Sequence, residues 1–292
     1  MEVLGPTASS CLQPSSSMQN IPPPNSIQWT LELVKQRIKT GVEISPEVVD
    51  IGGGVIVKYC RRPLHQEAET TKYVARCFAQ TDVIRVPKIY AVFSDGPYGD
   101  SYLVEEKLPG IPLIQLLPHL DDATRYTLAH ELKGVCRELK RLDDKGSMGN
   151  VGTPGKFVRS LYGSPADPED LLSTPEEFIM CIPNALNKYA PGVSGIPTIS
   201  GVFDFSRSPV FSHGDLVPEN ILVHNGHISG IIDWAHGGWY PYFWNDFIGR
   251  WRNDLPQFRD GRWTEMVGIM TESFSREVEV FLCLYELGQY NL

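Results

Sequence analysis

The sequence predicts an α+β protein of two lobes, a small β-rich N-terminal lobe and a larger, mainly helical C-terminal lobe. Residues 27–107 contain short runs rich in β-branched and aromatic residues, separated by Gly and Pro turns. From residue 108 to residue 292, apolar residues recur at helical spacing in several longer segments. The length of 292 residues also allows two lobes, each with its own core.

Residues 1–26 precede the first lobe and are rich in Ser, Pro and Gln. Such a segment buries too little apolar surface to offset the entropy lost on ordering. The sequence therefore predicts a disordered tail over residues 1–26.

Composition argues against several classes of function. The formal net charge is −9 and no Lys/Arg cluster stands out, which argues against a nucleic-acid partner. No run of about 18 apolar residues predicts a membrane span, and the N-terminus lacks the pattern of a secretory signal. The six cysteines never form a CxxC pair, which is typical of reduced cysteines, so we expect a cytoplasmic protein.

In the N-terminal lobe, Ser26 is expected to cap a helix over about residues 27–39. Two β-rich runs at 47–51 and 55–60 flank three glycines, which predicts a hairpin. A helix is predicted over residues 66–80 and a strand over residues 101–106.

Lys58 lies within the apolar run VIVKYC, where a lysine is unusual. One interpretation is an edge strand with a solvated lysine. The other is an ion pair with Glu67 or Glu69, although both acids could also simply favour the N-terminal turn of their helix.

In the C-terminal lobe, Asp121 or Asp122 is expected to cap a helix that runs to Leu142. Residues 143–209 are rich in Gly, Pro and Ser, with only short helical pieces, and long irregular stretches of this kind are often functional. An apolar stripe predicts a last helix over about residues 263–287.

The most informative stretch is VFSHGDLVPENILVHNGHISGIID, residues 210–233. Asp215 and Asn220 lie on a loop before a predicted hairpin with an Asn-Gly turn, and Asp233 lies at its far end. The hairpin can therefore bring the three side chains together. One carboxylate to accept a hydroxyl proton, with an amide and a second carboxylate for Mg²⁺, is a set that phosphoryl transfer requires.

HGDLVPEN followed by GIIDW resembles the catalytic loop and metal aspartate of the aminoglycoside phosphotransferase and choline kinase-like family, which has a protein-kinase-like fold. The segment AHGGWYPYFW resembles a small-molecule branch common in fungal genomes. The resemblance implies ATP and Mg²⁺, with Asp215 as the catalytic base and Asn220 and Asp233 as metal ligands. It also implies that Lys58 holds the nucleotide phosphates and that Glu69, rather than Glu67, anchors Lys58. Because YLVEEKLPG resembles the segment that joins the lobes, the backbone of Glu105 and Lys107 is expected to contact adenine.

One departure from the family pattern concerns the glycine-rich loop that covers the phosphates. Gly52–Gly54 directly precede the Lys58 strand, so the covering loop would be the piece at 40–46, with a single glycine. Two hypotheses follow: a phosphotransferase that acts on a hydroxyl of a small molecule, or a weak or inactive kinase-like binding protein. A protein kinase is disfavoured because no activation segment ending in an APE-like motif follows Asp233.

The resemblance does not identify the acceptor. Five aromatic residues, together with Asp246, could line a pocket for a cationic acceptor: Trp239, Tyr240, Tyr242, Phe243 and Trp244. Core packing is the favoured interpretation of most of these side chains. The sequence leaves the oligomeric state open.

Overall fold

The computed structural model describes residues 23–81, 83–142, 148–156, 172–251 and 258–291. The prediction of a disordered tail falls mostly outside this range. Within it, Pro24–Ser26 form one 3-10 turn. Within the described part of the chain, no helix is both long and apolar enough to cross a membrane.

The N-terminal lobe is a five-stranded antiparallel sheet in the order β1-β2-β3-β5-β4 with two helices. The strands are β1 (Val42–Ser45), β2 (Val48–Gly52), β3 (Val55–Cys60), β4 (Ile89–Ser94) and β5 (Ser101–Glu106), and the helices are α1 (Leu31–Ile38) and α2 (His65–Cys77). The predicted hairpin and the strand over 101–106 are confirmed. Strand β1 was not predicted, and α1 starts later than expected because Thr30, not Ser26, caps it by accepting a hydrogen bond from Leu33 N at 3.2 Å.

The two faces of this sheet have different environments. One face, which includes Val49, Val57 and Val104, is buried together with Val34 of α1. The opposite face carries Lys58 and Leu103, which are directly paired across β3 and β5. Part of that second face is covered by Leu64, which precedes α2, and by Ala68 of α2, and Lys58 on this face contacts Asp233 of the C-terminal lobe.

The C-terminal lobe is mainly helical, as expected. Its longer helices are α4 (Asp122–Leu139), α5 (Pro175–Tyr189), α6 (Trp244–Trp251), α7 (Arg262–Met270) and α8 (Ser275–Asn291), and a short α3 (Leu113–Leu116) follows the crossing between the lobes. Asp121 caps α4 by accepting a hydrogen bond from Thr124 N at 2.7 Å. The single last helix of the prediction is two helices, because α7 ends at Met270 with an extended Thr271.

Two small antiparallel sheets position the informative stretch. In the first sheet, β10 (Ile221–His224) and β11 (His227–Ile231) form a hairpin, and β10 also pairs with β6 (Ile111–Pro112). In the second sheet, β12 (Gly238–Tyr240) lies between β9 (Val210–Ser212) and β7 (Gly149–Asn150), and β7 also pairs with β8 (Thr153–Pro154). Asn225 and Gly226 both have positive φ, as the predicted Asn-Gly turn requires.

Aromatic side chains after Trp239 belong to the core of the C-terminal lobe. Tyr240, Phe243 and Trp244 are buried in one apolar cluster with residues of α5 and α8. Asp246 is 1% exposed and accepts a hydrogen bond from Arg250 Nε at 2.6 Å. The core-packing interpretation is therefore confirmed, and Asp246 is already paired inside the protein.

Candidate active site

The centre of the site is Lys58, which links the two lobes through its ammonium group. Its Nζ lies 2.5 Å from Glu67 Oε1 on α2 and 3.4 Å from Asp233 Oδ1 in the C-terminal lobe. The Lys58 side chain is only 14% exposed and that of Glu67 only 2%. Lys58 is thus a buried, paired lysine, and the interpretation as a solvated edge residue is wrong.

The partner of Lys58 is Glu67, which corrects the expectation for Glu69. Glu69 lies on the exposed side of α2, where its carboxylate pairs with Lys72 at 3.0 Å. The difference is one of helical phase, because two residues along a helix turn the side chain by about 200°. Glu67 therefore points into the protein and Glu69 into solvent.

Helix α2 is held against the C-terminal lobe, which fixes the position of Glu67. Gln66 Nε2 donates a hydrogen bond to the Val151 carbonyl at 2.9 Å. The Tyr73 ring packs against Phe211 and Trp239, with centroids 5.7 and 5.8 Å away. Trp239 therefore takes part in the contact between the lobes, a role that its sequence context did not reveal.

The segment between β9 and β10 brings Asp215 and Asn220 together. Asn220 Nδ2 donates to the Asp215 carbonyl at 3.0 Å and lies 3.4 Å from Asp215 Oδ2. The Asn220 carbonyl accepts a hydrogen bond from Ile232 N at 3.0 Å, and Ile232 directly precedes Asp233. Asp215 and Asn220 are therefore in contact, and the backbone of Asn220 is bonded to the residue that precedes Asp233.

His213 holds this segment in place through two hydrogen bonds of its ring to the backbone. Its ring is buried, its Nε2 donates to the Ile232 carbonyl at 2.9 Å, and its Nδ1 accepts from Asp215 N at 3.3 Å. Burial lowers the pKa of His213 to about 4, so the ring is neutral at physiological pH and can serve both contacts. Gly214, at φ +81°, is required here because a Cβ would lie 2.2 Å from the His236 carbonyl oxygen.

Asp233 has features that suit a cation. It adopts φ 62°, ψ 61°, a left-handed conformation that Asp tolerates better than most residues. Its buried Oδ1 accepts no hydrogen bond within the described part of the chain. Burial would raise the pKa of Asp233, but Lys58, His213 and Arg62 lower it overall, so the carboxylate is ionised.

Asn220 and Asp233 fit Mg²⁺ as a sparse ligand set. No group of three or more His, Cys, Asp or Glu side chains in the described ranges could hold a metal by itself. Mg²⁺ is commonly bound by one or two protein carboxylates, with water and phosphate oxygens completing its shell. Asp233 Oδ1, which has Lys58 Nζ at 3.4 Å but accepts no hydrogen bond in the described ranges, agrees with that mode.

The charges around Lys58 are predominantly acidic. Burial alone would lower the pKa of Lys58, but Glu67, Asp233 and Glu105 together raise it above its ordinary value. Burial raises the pKa of Glu67. Arg62, which the sequence did not single out, is a second cation, and its charge interacts favourably with the carboxylates of Asp233 and Glu67.

The crossing between the lobes differs from expectation at both predicted adenine contacts. Lys107 N donates to the Gly54 carbonyl at 2.9 Å, and Lys107 Nζ lies 2.6 Å from Asp50 Oδ2. Glu105 lies inside β5 with Ile56 and Ile89 directly opposite on its two neighbouring strands. Because strands flank Glu105 on both sides, its backbone groups point at the sheet rather than at a ligand.

The segment that would cover the phosphates also differs from expectation. Val42–Ser45 form strand β1, so the connection to β2 is the two-residue turn Pro46-Glu47, with Glu47 at φ 68°. This turn contains no glycine and places a carboxylate at its tip. Such a turn presents few backbone N–H groups to a phosphate.

A model of the phosphotransferase enzyme family, abbreviated APH, matches residues 43–277. The chain belongs to this family. No curated protein sequence matches it. Family membership thus rests on a match over most of the chain, including every site residue described above.

Solved structures of aminoglycoside phosphotransferases share the fold. A thermostable mutant of APH(4)-Ia in complex with ADP and hygromycin B has 14% identity and a TM-score of 0.56, with 89% of this chain and 90% of that chain covered. The GDP complex of aminoglycoside 2'-phosphotransferase-IIIa has 13% identity and a TM-score of 0.55, with 88% and 89% covered. The family member described here therefore has the predicted α+β, kinase-like fold of two lobes.

Proposed function

We propose that this family member is an ATP- and Mg²⁺-dependent phosphotransferase that acts on a hydroxyl group of a small molecule. The observation that carries the proposal is the contact of Lys58 with Glu67 on one lobe and with Asp233 on the other. In this contact, the cation that we propose to bind phosphate lies beside the carboxylate that we propose to bind the metal. The nucleotide and aminoglycoside complexes of the structural neighbours support the same assignment.

Each residue has a defined task in this proposal. Asp215 accepts the proton of the acceptor hydroxyl while the hydroxyl oxygen forms a bond to the γ-phosphorus of ATP. The bond from the γ-phosphorus to the oxygen that bridges it to the β-phosphorus breaks, and that oxygen leaves with ADP. Lys58, held by Glu67, binds phosphate oxygens. Asn220 and Asp233 hold Mg²⁺, which neutralises charge on the phosphates.

We propose that the nucleotide base contacts the segment between the lobes at the Leu108 amide, one residue after the Lys107 contact that the sequence suggested. The Leu108 amide has no hydrogen-bond acceptor among the described residues, whereas the Lys107 amide is occupied by Gly54. Leu108 is also 5% exposed, so an acceptor on the ligand would satisfy a largely buried donor.

The finer features of the acceptor and the setting are also proposals. We propose a cationic hydroxyl compound as acceptor, because the net charge of −9 favours cations. We also propose the small-molecule branch common in fungal genomes and a cytoplasmic location. Because Asp246 is buried and paired, the aromatic segment no longer supports a cation site.

An ATP-consumption screen over a panel of hydroxylated metabolites tests the proposal, with Asp215→Ala as the blank. We expect consumption with at least one acceptor and a loss of about 10²- to 10⁴-fold in Asp215→Ala, the usual contribution of a general base. A folded protein whose melting temperature does not respond to millimolar Mg-ATP would contradict the proposal.

A second candidate is a kinase-like binding protein with weak or no turnover. The two-residue turn Pro46-Glu47 favours it, because this turn supplies little cover for the phosphates. Under this alternative, Mg-nucleotide could bind but Asp215→Ala would leave the basal rate of ATP consumption unchanged with every acceptor.

A further inference from the structure

Glu105 is a buried carboxyl that the proposed phosphoryl transfer does not use. It is 4% exposed, and within the described ranges its side chain forms neither a hydrogen bond nor an ion pair. Glu67, which is equally buried, lies 2.5 Å from Lys58. The charge of Lys58 acts on Glu105, but burying a carboxyl without a hydrogen bond is unfavourable, so this side chain needs an explanation.

The position of Glu105 points it toward the nucleotide side of the sheet. Residues directly opposite on antiparallel strands share a face. Glu105 is opposite Ile56 and Ile89, and the next pair on the same face is Lys58 with Leu103. The other face of the sheet is the one packed on α1, so Glu105 and Lys58 both face the gap between the lobes.

Glu105 and Lys58 lie in neighbouring pairs on this face, with Glu105 nearer the crossing between the lobes. Lys58 contacts Asp233, so its end is the phosphate end. Glu105 is next to the last residue of β5, just before the chain crosses to the other lobe at Lys107 and Leu108. A nucleotide that puts its phosphates at Lys58 and its base against the crossing brings the base to Glu105.

The chemistry of the carboxyl selects what it can bind there. A phosphate would be repelled by an acid, and Glu67 and Asp233 already add negative charge nearby. Whether it is protonated or ionised, a carboxyl presents an acceptor oxygen. Burial raises the pKa of Glu105 to about 8 although the charge of Lys58 lowers it, which agrees with a carboxyl that has no hydrogen-bond donor in the described ranges.

We propose that Glu105 is a specificity-determining residue that accepts a hydrogen bond from the exocyclic amine of the nucleotide base. This inference rests on the proposed function. It means that the site prefers an amino-purine such as adenine over a purine that lacks the amine. The Glu105 side chain, rather than its backbone, would read the base.

Calorimetric titration with two nucleoside diphosphates tests this, with Mg²⁺ present and no turnover. The ligands are ADP and the purine nucleoside diphosphate that differs from ADP only in lacking the amine. We expect the wild-type protein to bind ADP about tenfold more tightly, equivalent to 1.4 kcal/mol. Glu105→Gln retains an acceptor oxygen and should keep the preference, whereas Glu105→Met should reduce the ratio to near one.

Glu106→Gln is the matched control. Glu106 is the neighbouring residue on β5, but its carboxylate points to the other side and pairs with Arg85 Nη2 at 2.9 Å and Lys88 N at 3.2 Å. This variant should keep the tenfold preference.

The outcomes separate the inference from the function it rests on. Equal binding of the two nucleotides by the wild-type protein would overturn the inference and leave the phosphotransferase proposal standing, and this measurement needs no variant to fold. An unchanged tenfold preference in Glu105→Met would overturn it as well. Failure of the folded protein to bind either nucleotide would overturn both.

Discussion

Replacing Glu67 with Gln tests the structural assignment of the Lys58 partner against the assignment made from sequence. The exchange preserves shape but removes the charge that lies 2.5 Å from Lys58 Nζ in a site where the two side chains are 14% and 2% exposed. Removing one partner of a buried ion pair typically costs about 3 to 5 kcal/mol of unfolding free energy. Because Asp233 remains 3.4 Å from the same ammonium, we expect a loss near the lower end, about 3 kcal/mol.

Glu69→Gln is the matched control for this variant. Glu69 lies two residues further along the same helix, and its side chain is 58% exposed in its pair with Lys72. Exposed pairs of this kind contribute about 0 to 1 kcal/mol, so the control should be close to wild type.

Urea unfolding followed by tryptophan fluorescence measures the stability, and calorimetric titration with Mg-ADP measures the ligand affinity. Glu67→Gln should also weaken Mg-ADP by about tenfold, or 1.4 kcal/mol, because Lys58 loses the group that orients it. Equal effects of the two substitutions, or a larger effect of Glu69→Gln, would refute the structural assignment.

Two further predictions concern the loop glycine and the buried acid. Gly214→Ala should lower the unfolding free energy by at least about 2 kcal/mol in urea titration, because a Cβ would lie 2.2 Å from the His236 carbonyl oxygen. Gly226 has a similar φ but open space around it, so the control Gly226→Ala should lower the unfolding free energy by only about 1 kcal/mol. Equal losses in the two variants would contradict this reasoning. The pKa of Glu105 is raised from 4.5 to about 8, so the folded state keeps a proton that the unfolded chain releases. The stability from this group is therefore complete below about pH 4.5 and is lost as the pH rises to about 8. Relative to wild type, Glu105→Gln should gain stability between pH 5 and pH 8 and then stay level; urea midpoints that run parallel across this range would argue against a buried, protonated Glu105.

Local patterns in the sequence predicted much of the fold and of the site. The strand over 101–106, the Asn225-Gly226 turn and the cap at Asp121 depend on neighbouring residues, which is why they could be read directly. The same holds for the contact of Asp215 with Asn220, which lies within one loop before the hairpin. The α+β, two-lobed, kinase-like fold followed from these local signals and from the family resemblance.

The tertiary structure decided the contacts whose partners are far apart in the chain. Spacing alone allowed both Glu67 and Glu69 to pair with Lys58, and only the docking of α2 on Val151, Phe211 and Trp239 set the helix rotation that selects Glu67. The free energy of an ion pair depends on burial and on the direction of each side chain, and neither is a property of the local sequence. For the same reason the sequence predicted only a backbone contact for Glu105, and the pairing of β5 with both neighbours shows that its side chain lies on the same face of the sheet as Lys58.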